Sequence, residues 1–241
     1  MNDISVGIVI PIVSLDYLEQ CLNNLFLPNN VVVLVVNDGN KSIKEDLEKL
    51  CNKYQRVLIL NLEKNSGFAV ANNSGWKWLE KEFNPKYLGT LNADTKPTKG
   101  WIEFLVKTIE DNKASLASPK QKVRNKIIDF YELGKNLRTK SKQINIIKDT
   151  LTQSFSGFCF LCRSDHLREV SLFDEKYINC CEDTDLALKF RKKKFKSYVS
   201  FRSVVEHFPS SFRFRKGTKT NTGRNLNYFK KKWRSEIERN K

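Results

Sequence analysis

Two rhythms alternate along the first half of the chain. Val6–Ile12 is a short apolar run of strand length, and behind it Leu15, Leu18, Leu22 and Leu25 recur at helical spacing, with Ser14 placed as an N-cap. Val31–Val36 is a second apolar run, broken by Asn37-Asp38-Gly39. Ser42 and Glu45 have capping-box spacing ahead of Leu47, Leu50 and Tyr54, which share one helical face. Val57–Leu60 predicts a third strand. Asn65-Ser66-Gly67 opens a loop, and Phe68, Ala71, Gly75 and Trp78 predict a helix after it. Tyr87–Leu91 predicts a fourth strand, ended by Asn92-Ala93-Asp94; Trp101, Leu105 and Ile109 mark another helix, and Leu116–Ser118 a short strand.

This alternation predicts an α/β fold with a mostly parallel, Rossmann-like sheet and helices on both faces. Ligands of such sheets bind beyond the carboxyl ends of the strands. Asp38 and Asp94 each follow a predicted strand, so they are expected to line one crevice despite their separation in the chain. From Lys120 to Gln153 the pattern weakens and reads as a polar excursion. Strand character returns over Phe155–Cys162, helices fit Asp165–Val170 and Thr184–Lys193, and a last strand fits Ser197–Val205, ending near His207. Residues 1–212 are read as the main domain and 213–241 as a basic C-terminal segment.

Composition narrows the setting. At 241 residues and 40% hydrophobic, the chain can bury a sizeable core. No apolar run reaches the roughly 18 residues of a membrane helix, and Met1-Asn2-Asp3 does not begin a secretory signal. The expected location is cytoplasmic, with peripheral contact at the membrane's cytoplasmic face as an option. Cys159, Cys162, Cys180 and Cys181 have the count of a zinc site. The first two lie on a predicted strand, where positions three apart face opposite ways, which sets zinc aside. The net charge of +16 suits phosphates, anionic membranes or nucleic acids without choosing among them.

Four clusters at element ends can carry chemistry. Asp38 precedes a glycine, which alone suggests a turn. Asn65-Ser66-Gly67, with Asn73 and Gly75 behind it, places a glycine before a helix, where backbone can approach a phosphate. Asp94, at the end of a strand, offers hard oxygen donors to a divalent cation that bridges to phosphates. Glu182-Asp183-Thr184-Asp185 crowds three carboxylates into four residues. That cluster fits either a helix N-terminus or a general base. His207 is one of two histidines and can reach a metal through a ring nitrogen.

Order and spacing join these signals. The chain resembles glycosyltransferase family 2, especially its rhamnosyltransferase-like branch. The resemblance runs through Val6–Pro11, Val33–Gly39, Asn65–Gly75, Leu91–Thr95, Ser156–Arg163, Leu172–Glu175, Glu182–Leu186, Val205–His207 and Asn227–Trp233. It implies a GT-A fold and a metal-dependent, inverting transfer of a sugar, rhamnose or another hexose. The donor would be a nucleotide-diphosphate sugar and the acceptor a glycan or lipid-linked hydroxyl, as in polysaccharide biosynthesis.

Carried over by position, the resemblance implies that Asp38, Pro11 and Ile12 hold the nucleobase, and that Asn65, Gly67 and Asn73 lie near the ribose and diphosphate. Asp94 stands at the metal-ligating end of the family's DxD motif, with Asn92 and Ala93 before it. His207 completes the site for Mn2+ or Mg2+. Ser156, Gly157 and Phe158 border the sugar pocket. Asp183 is the base, with Asp185 and then Glu182 as alternatives. Apart from the resemblance, the basic tail carrying Arg213, Arg215, Lys216, Lys219 and Arg224 has two readings: part of it closes over the donor, with Tyr228, Phe229 and Trp233 packing back on the body, or it is a solvated or membrane-facing segment. Asn92 in place of a carboxylate motivates a rival reading, a weak or inactive nucleotide-sugar-binding homologue. A nucleic-acid-binding protein is a more distant rival, motivated by charge alone.

Overall fold

The computed structural model describes residues 4–178, 180–208 and 222–239. The first half runs β1 (Val6–Ile12), α1 (Leu18–Asn23), β2 (Val31–Asn37), a 3-10 turn (Lys41–Ile43), α2 (Lys44–Cys51), β3 (Val57–Asn61), α3 (Phe68–Phe83), β4 (Tyr87–Leu91), β5 (Thr95–Pro97) and α4 (Trp101–Asp111). Five strands follow: β6 (Leu116–Val123), β7 (Lys126–Ile128), β8 (Phe130–Leu133), β9 (Thr139–Lys142) and β10 (Thr150–Thr152). The chain continues through β11 (Cys159–Arg163), α5 (Ser164–Glu169), α6 (Glu182–Lys192), β12 (Ser197–His207), α7 (Thr222–Lys232) and α8 (Arg234–Arg239).

The main sheet has the order β10-β12-β6-β11-β4-β1-β2-β3, with β5 on β12 and β7 on β6. β1 pairs in parallel with β2 and β4, and β2 with β3, so these four strands end at one edge. β11 runs antiparallel to β4, with Cys159 opposite Leu91, so the residues just before it reach the same edge. β12 pairs with β5 through His207 opposite Thr95, which brings its end there too.

The strict alternation of a two-residue period sorts the core into two layers. Ile8, Ile10, Val33 and Val35 face one layer, packed by α1, α2 and α4. Val9, Leu34 and Val36 face the other, packed by α3, α5 and α6. Gly75 lets α3 settle on β1, since a Cβ there would lie 2.6 Å from a Val9 methyl. Cys159 and Cys162 fall in opposite layers, as expected for their strand. Among the described residues, no group of three or more His, Cys, Asp and Glu is arranged to hold a metal.

Several boundaries differ from the sequence reading. Ser14 does not cap α1; its hydroxyl donates to Asp16. The cap ahead of Ser42 is Asn40, whose side chain accepts from the Ser42 amide. The polar excursion is strand-rich, because β7 to β10 are only three or four residues each, too short to display a period. The tail is helical over 222–239, and α7 buries Phe229 while Trp233 seats beside Tyr177 and Leu188. Residues 209–221, which contain the boundary expected at 212 and most of the proposed basic lid, lie outside the described residues.

Candidate functional site

The shared strand edge gathers Ile12, Asp38, Asn92 to Asp94, Ser156 to Phe158 and His207, all sequence-predicted. Pro11 is half-buried opposite Val36, and Ile12 is buried. The Asp38 amide donates to the Ile12 carbonyl, which continues the sheet into the turn.

Asp38 organises that turn. It is only 3% exposed, and its two oxygens accept from the amides of Ser66 and Gly67, each at 2.8 Å. Burial pushes its carboxyl above the usual range, against the lowering effect of those two amides. The Ser66 and Gly67 amides, which the sequence offered to a phosphate, are therefore turned toward Asp38. Gly39 makes the approach possible: its φ is +76°, and a Cβ would lie 2.1 Å from the Lys64 carbonyl carbon. Asn37 and Asn40 reinforce the loop, with Asn37 Nδ2 donating to the Asn40 carbonyl and to Asn61 Oδ1. Neither asparagine stands out in the sequence. Asn65 is exposed at the loop tip.

Asn73 has a different duty from the one expected. Its amide nitrogen donates to the Phe173 carbonyl and to Glu175, and its oxygen accepts from the Phe173 amide. With all three groups engaged and the residue buried, it clamps α3 to the 173–175 loop.

Asp94 and His207 meet. His207 Nε2 lies 3.2 Å from Asp94 Oδ1, and the Phe208 amide donates to the Asp94 carbonyl. Phe158 stacks on the imidazole, ring centroids 4.8 Å apart. Phe158 is thus a buried support for His207 more than a pocket wall. Ala93 also packs against the core. The other face of the ring system leads away from the edge: Gln121 Nε2 is 2.7 Å from His207 Nδ1, and the Tyr131 hydroxyl donates to Gln121 Oε1. Gln121 thus orients the ring through Nδ1 and leaves Nε2 facing Asp94. Gln121 and Tyr131 lie in the stretch that reads as a polar excursion, and only a buried aromatic among polar neighbours could have flagged Tyr131.

The acidic cluster divides into three fates. Asp183 is half-buried at the first turn of α6; its Oδ2 accepts from the Gly157 amide at 3.1 Å and its Oδ1 from the Thr184 amide at 2.7 Å. No described cation pairs with it. Asp185, by contrast, is fully buried. It accepts from Tyr177 at 3.2 Å, Trp233 Nε1 at 2.8 Å and Lys232 at 2.8 Å, with Lys189 3.4 Å away. That saturation removes it as a base and makes it the anchor of the C-terminal helices. Glu182 is buried. Ser156 is half-buried before Gly157, and Arg224 is exposed on α7. Asn92 accepts through its carbonyl from Thr95.

Comparison with known proteins agrees with this frame. Residues 8–171 match the model of glycosyl transferase family 2, and the chain belongs to that family. Its architecture is the GT-A fold. The pre-mycofactocin glycosyltransferase of Mycobacterium tuberculosis is 24% identical over 158 residues, 64% of this chain and 32% of the relative. The chain thus spans about a third of that relative's length. Rhamnosyltransferase WbbL of Escherichia coli K12 is 24% identical over 193 residues, 72% of each chain. The structure of GalNAc-T7 with UDP, GalNAc and Mn2+ superposes with a TM-score of 0.79 at 16% identity, covering 98% of this chain and 49% of that one. Among the described residues, no helix is long and apolar enough to cross a membrane.

Proposed function

We propose that this protein transfers a sugar, rhamnose or another hexose, from a nucleotide-diphosphate donor to a glycan or lipid-linked hydroxyl with inversion. One observation carries the reading: Gly157 donates to Asp183 while the next residue, Phe158, stacks on His207. A single turn therefore holds a half-buried carboxylate without a cation beside the Asp94–His207 pair. Base and leaving-group groups need that proximity, because in-line placement supplies much of the rate.

Asp183 accepts the proton of the acceptor hydroxyl as it attacks the anomeric carbon; the diphosphate leaves on the opposite face. Asp38, Pro11 and Ile12 shape the nucleobase end, with Asp38 acting through the loop it holds. Asp94 and His207 would hold a divalent cation. Their donor set, one carboxylate and one imidazole, fits Mn2+ better than Mg2+, which prefers oxygen throughout. Such a cation, when bound, neutralises charge on the leaving diphosphate. Gln121 and, behind it, Tyr131 would hold the imidazole in place for that role. With Asn92 in place of a second carboxylate, Asp94 and His207 would depend on the donor's phosphates for further ligands.

The test is a thermal-shift screen of UDP-, GDP- and dTDP-sugars with and without Mn2+, followed by nucleotide-release assays on the stabilising donors. A donor that binds the folded state raises the melting temperature by mass action. No stabilisation by any nucleotide or nucleotide sugar would overturn the reading. Binding without release, with every acceptor offered, would favour the rival that Asn92 motivates, a nucleotide-sugar-binding homologue with little turnover.

A further inference from the structure

The segment joining β9 to β10 exposes apolar side chains that the rest of the fold hides. Ile144 is 49%, Ile147 87% and Leu151 55% exposed. These three lie within eight residues of one another, while the other exposed large hydrophobics of the described chain, Tyr17 and Phe26, stand far from them in sequence. The loop is firmly tethered. Asp129, itself buried, accepts from the amide of Ile144 at 2.8 Å through one oxygen and from that of Ile146 at 2.9 Å through the other. At the far end Asp149 accepts from the Phe201 amide of β12 at 3.1 Å and from Asn112, just past α4, at 3.3 Å. Leu151 then sits opposite Tyr198 on the outermost strand of the sheet. Two carboxylates thus fix a loop whose tip presents isoleucine to water, and an apolar surface built in this way marks a contact site.

The surrounding charge identifies the partner. Residues 133–148 carry Lys135, Arg138, Lys140, Lys142 and Lys148 and no acidic residue. Lys140, Lys142 and Lys148 are exposed. Lys142 also reaches Glu132 at 2.8 Å. Aliphatic tips set among lysines match an anionic bilayer, where the tips enter the acyl boundary and the ammonium groups meet headgroup phosphates. A protein hot spot would instead favour aromatic residues and arginine. We propose that the loop over residues 143–151 docks this protein peripherally on a membrane bearing anionic headgroups. Leu151 pairs at the start of β12 and His207 stands at its end, so the docking surface is separate from the candidate active site and does not depend on its chemistry.

The experiment is co-sedimentation of the full chain with vesicles of phosphatidylcholine alone and of phosphatidylcholine mixed with phosphatidylglycerol. The mixed vesicles should retain the protein, the neutral ones should not, and high salt should weaken retention. Ile144→Ser with Ile147→Ser keeps the net charge and should lower binding to mixed vesicles about tenfold or more. Its melting temperature should stay at the parent value, since both side chains are exposed. Equal binding of parent and variant would overturn the proposal by assigning attraction to the chain's general positive charge. Failure of the parent to bind mixed vesicles would overturn it as well. So would a concentration-dependent dimer that the double substitution abolishes, which would give the face to a second copy of the chain.

Discussion

Lys232 is the residue whose removal most directly tests how the C-terminal helices are held. Its ammonium group lies 2.7 Å from Asp174 and 2.8 Å from Asp185, and its side chain is 25% exposed against 0% for Asp185. Lys232→Met keeps most of the stem but takes the cation from two carboxylates. Breaking a buried pair by removing one partner costs about 3–5 kcal/mol. Lys189 and the Tyr177 and Trp233 donors remain on Asp185. Partial exposure and those surviving partners reduce the expected cost to about 2–3 kcal/mol. For a chain of this size that is a melting-temperature fall of about 5–10 °C.

The pH dependence of that difference follows from both partners. Burial works to raise the Asp174 carboxyl, but bonds from Lys232, the Lys176 amide and Tyr228 outweigh it and hold it below the usual range. Its contribution is present above the unfolded value of about 4 and is lost as pH falls through the lower folded value. Burial likewise works to lower Lys232, and bonds to Asp174 and Asp185 reverse this and hold it above the usual lysine range. That contribution is full below about 10.4 and is lost as pH rises through the folded value. Scanning calorimetry of parent and variant should therefore give a constant gap from about pH 5 to 9 that narrows toward pH 3. A gap under about 1 °C at neutral pH, or one unchanged in strong acid, would refute the reasoning.

Other outcomes follow from the same geometry. Gly39→Ala combines φ of +76° with a Cβ 2.1 Å from backbone, and should cost about 3 kcal/mol or more in urea unfolding; a loss under about 1 kcal/mol would mean the loop relaxes freely. Asp183→Asn should cut turnover by about 100-fold or more while nucleotide affinity stays near the parent's; retained turnover removes Asp183 as the base. Asp94→Ala should abolish the part of a nucleotide's thermal shift that depends on Mn2+, and an undiminished Mn2+ effect would move the cation elsewhere. Burial pushes the Cys21 thiol up to about 12 and Cys51 to about 11, and holds Cys159 and Cys162 well above the usual thiol range. Burial also raises the Cys181 thiol well above the usual range, so a thiol reagent at mildly alkaline pH should label the half-exposed Cys180 first, and equally rapid labelling of any of the four buried cysteines would contradict this packing.

What the sequence determined by itself was local or topological. The alternation of strand and helix is written in side-chain period, so β1 to β4 and α2 to α4 were legible. Strand ends in a parallel sheet share an edge, so Asp38 and Asp94 could be placed together without any distance. The opposite facing of Cys159 and Cys162 followed from the same period, and the ordered motifs identified the family. The tertiary structure alone decided which groups are free to act. Asp183 and Asp185 are near neighbours of one residue type, yet only the second meets Lys232 and Trp233, nearly fifty residues on. Asn73 is engaged by Phe173 and Glu175. His207 is oriented by Gln121, on the part of β6 beyond the apolar start that reads as a strand, and through it by Tyr131, on the four-residue β8. The physical reason is common to all three: a polar side chain's role depends on the donors and charges that long-range packing brings within about 3 Å, and no local period encodes which faces will meet.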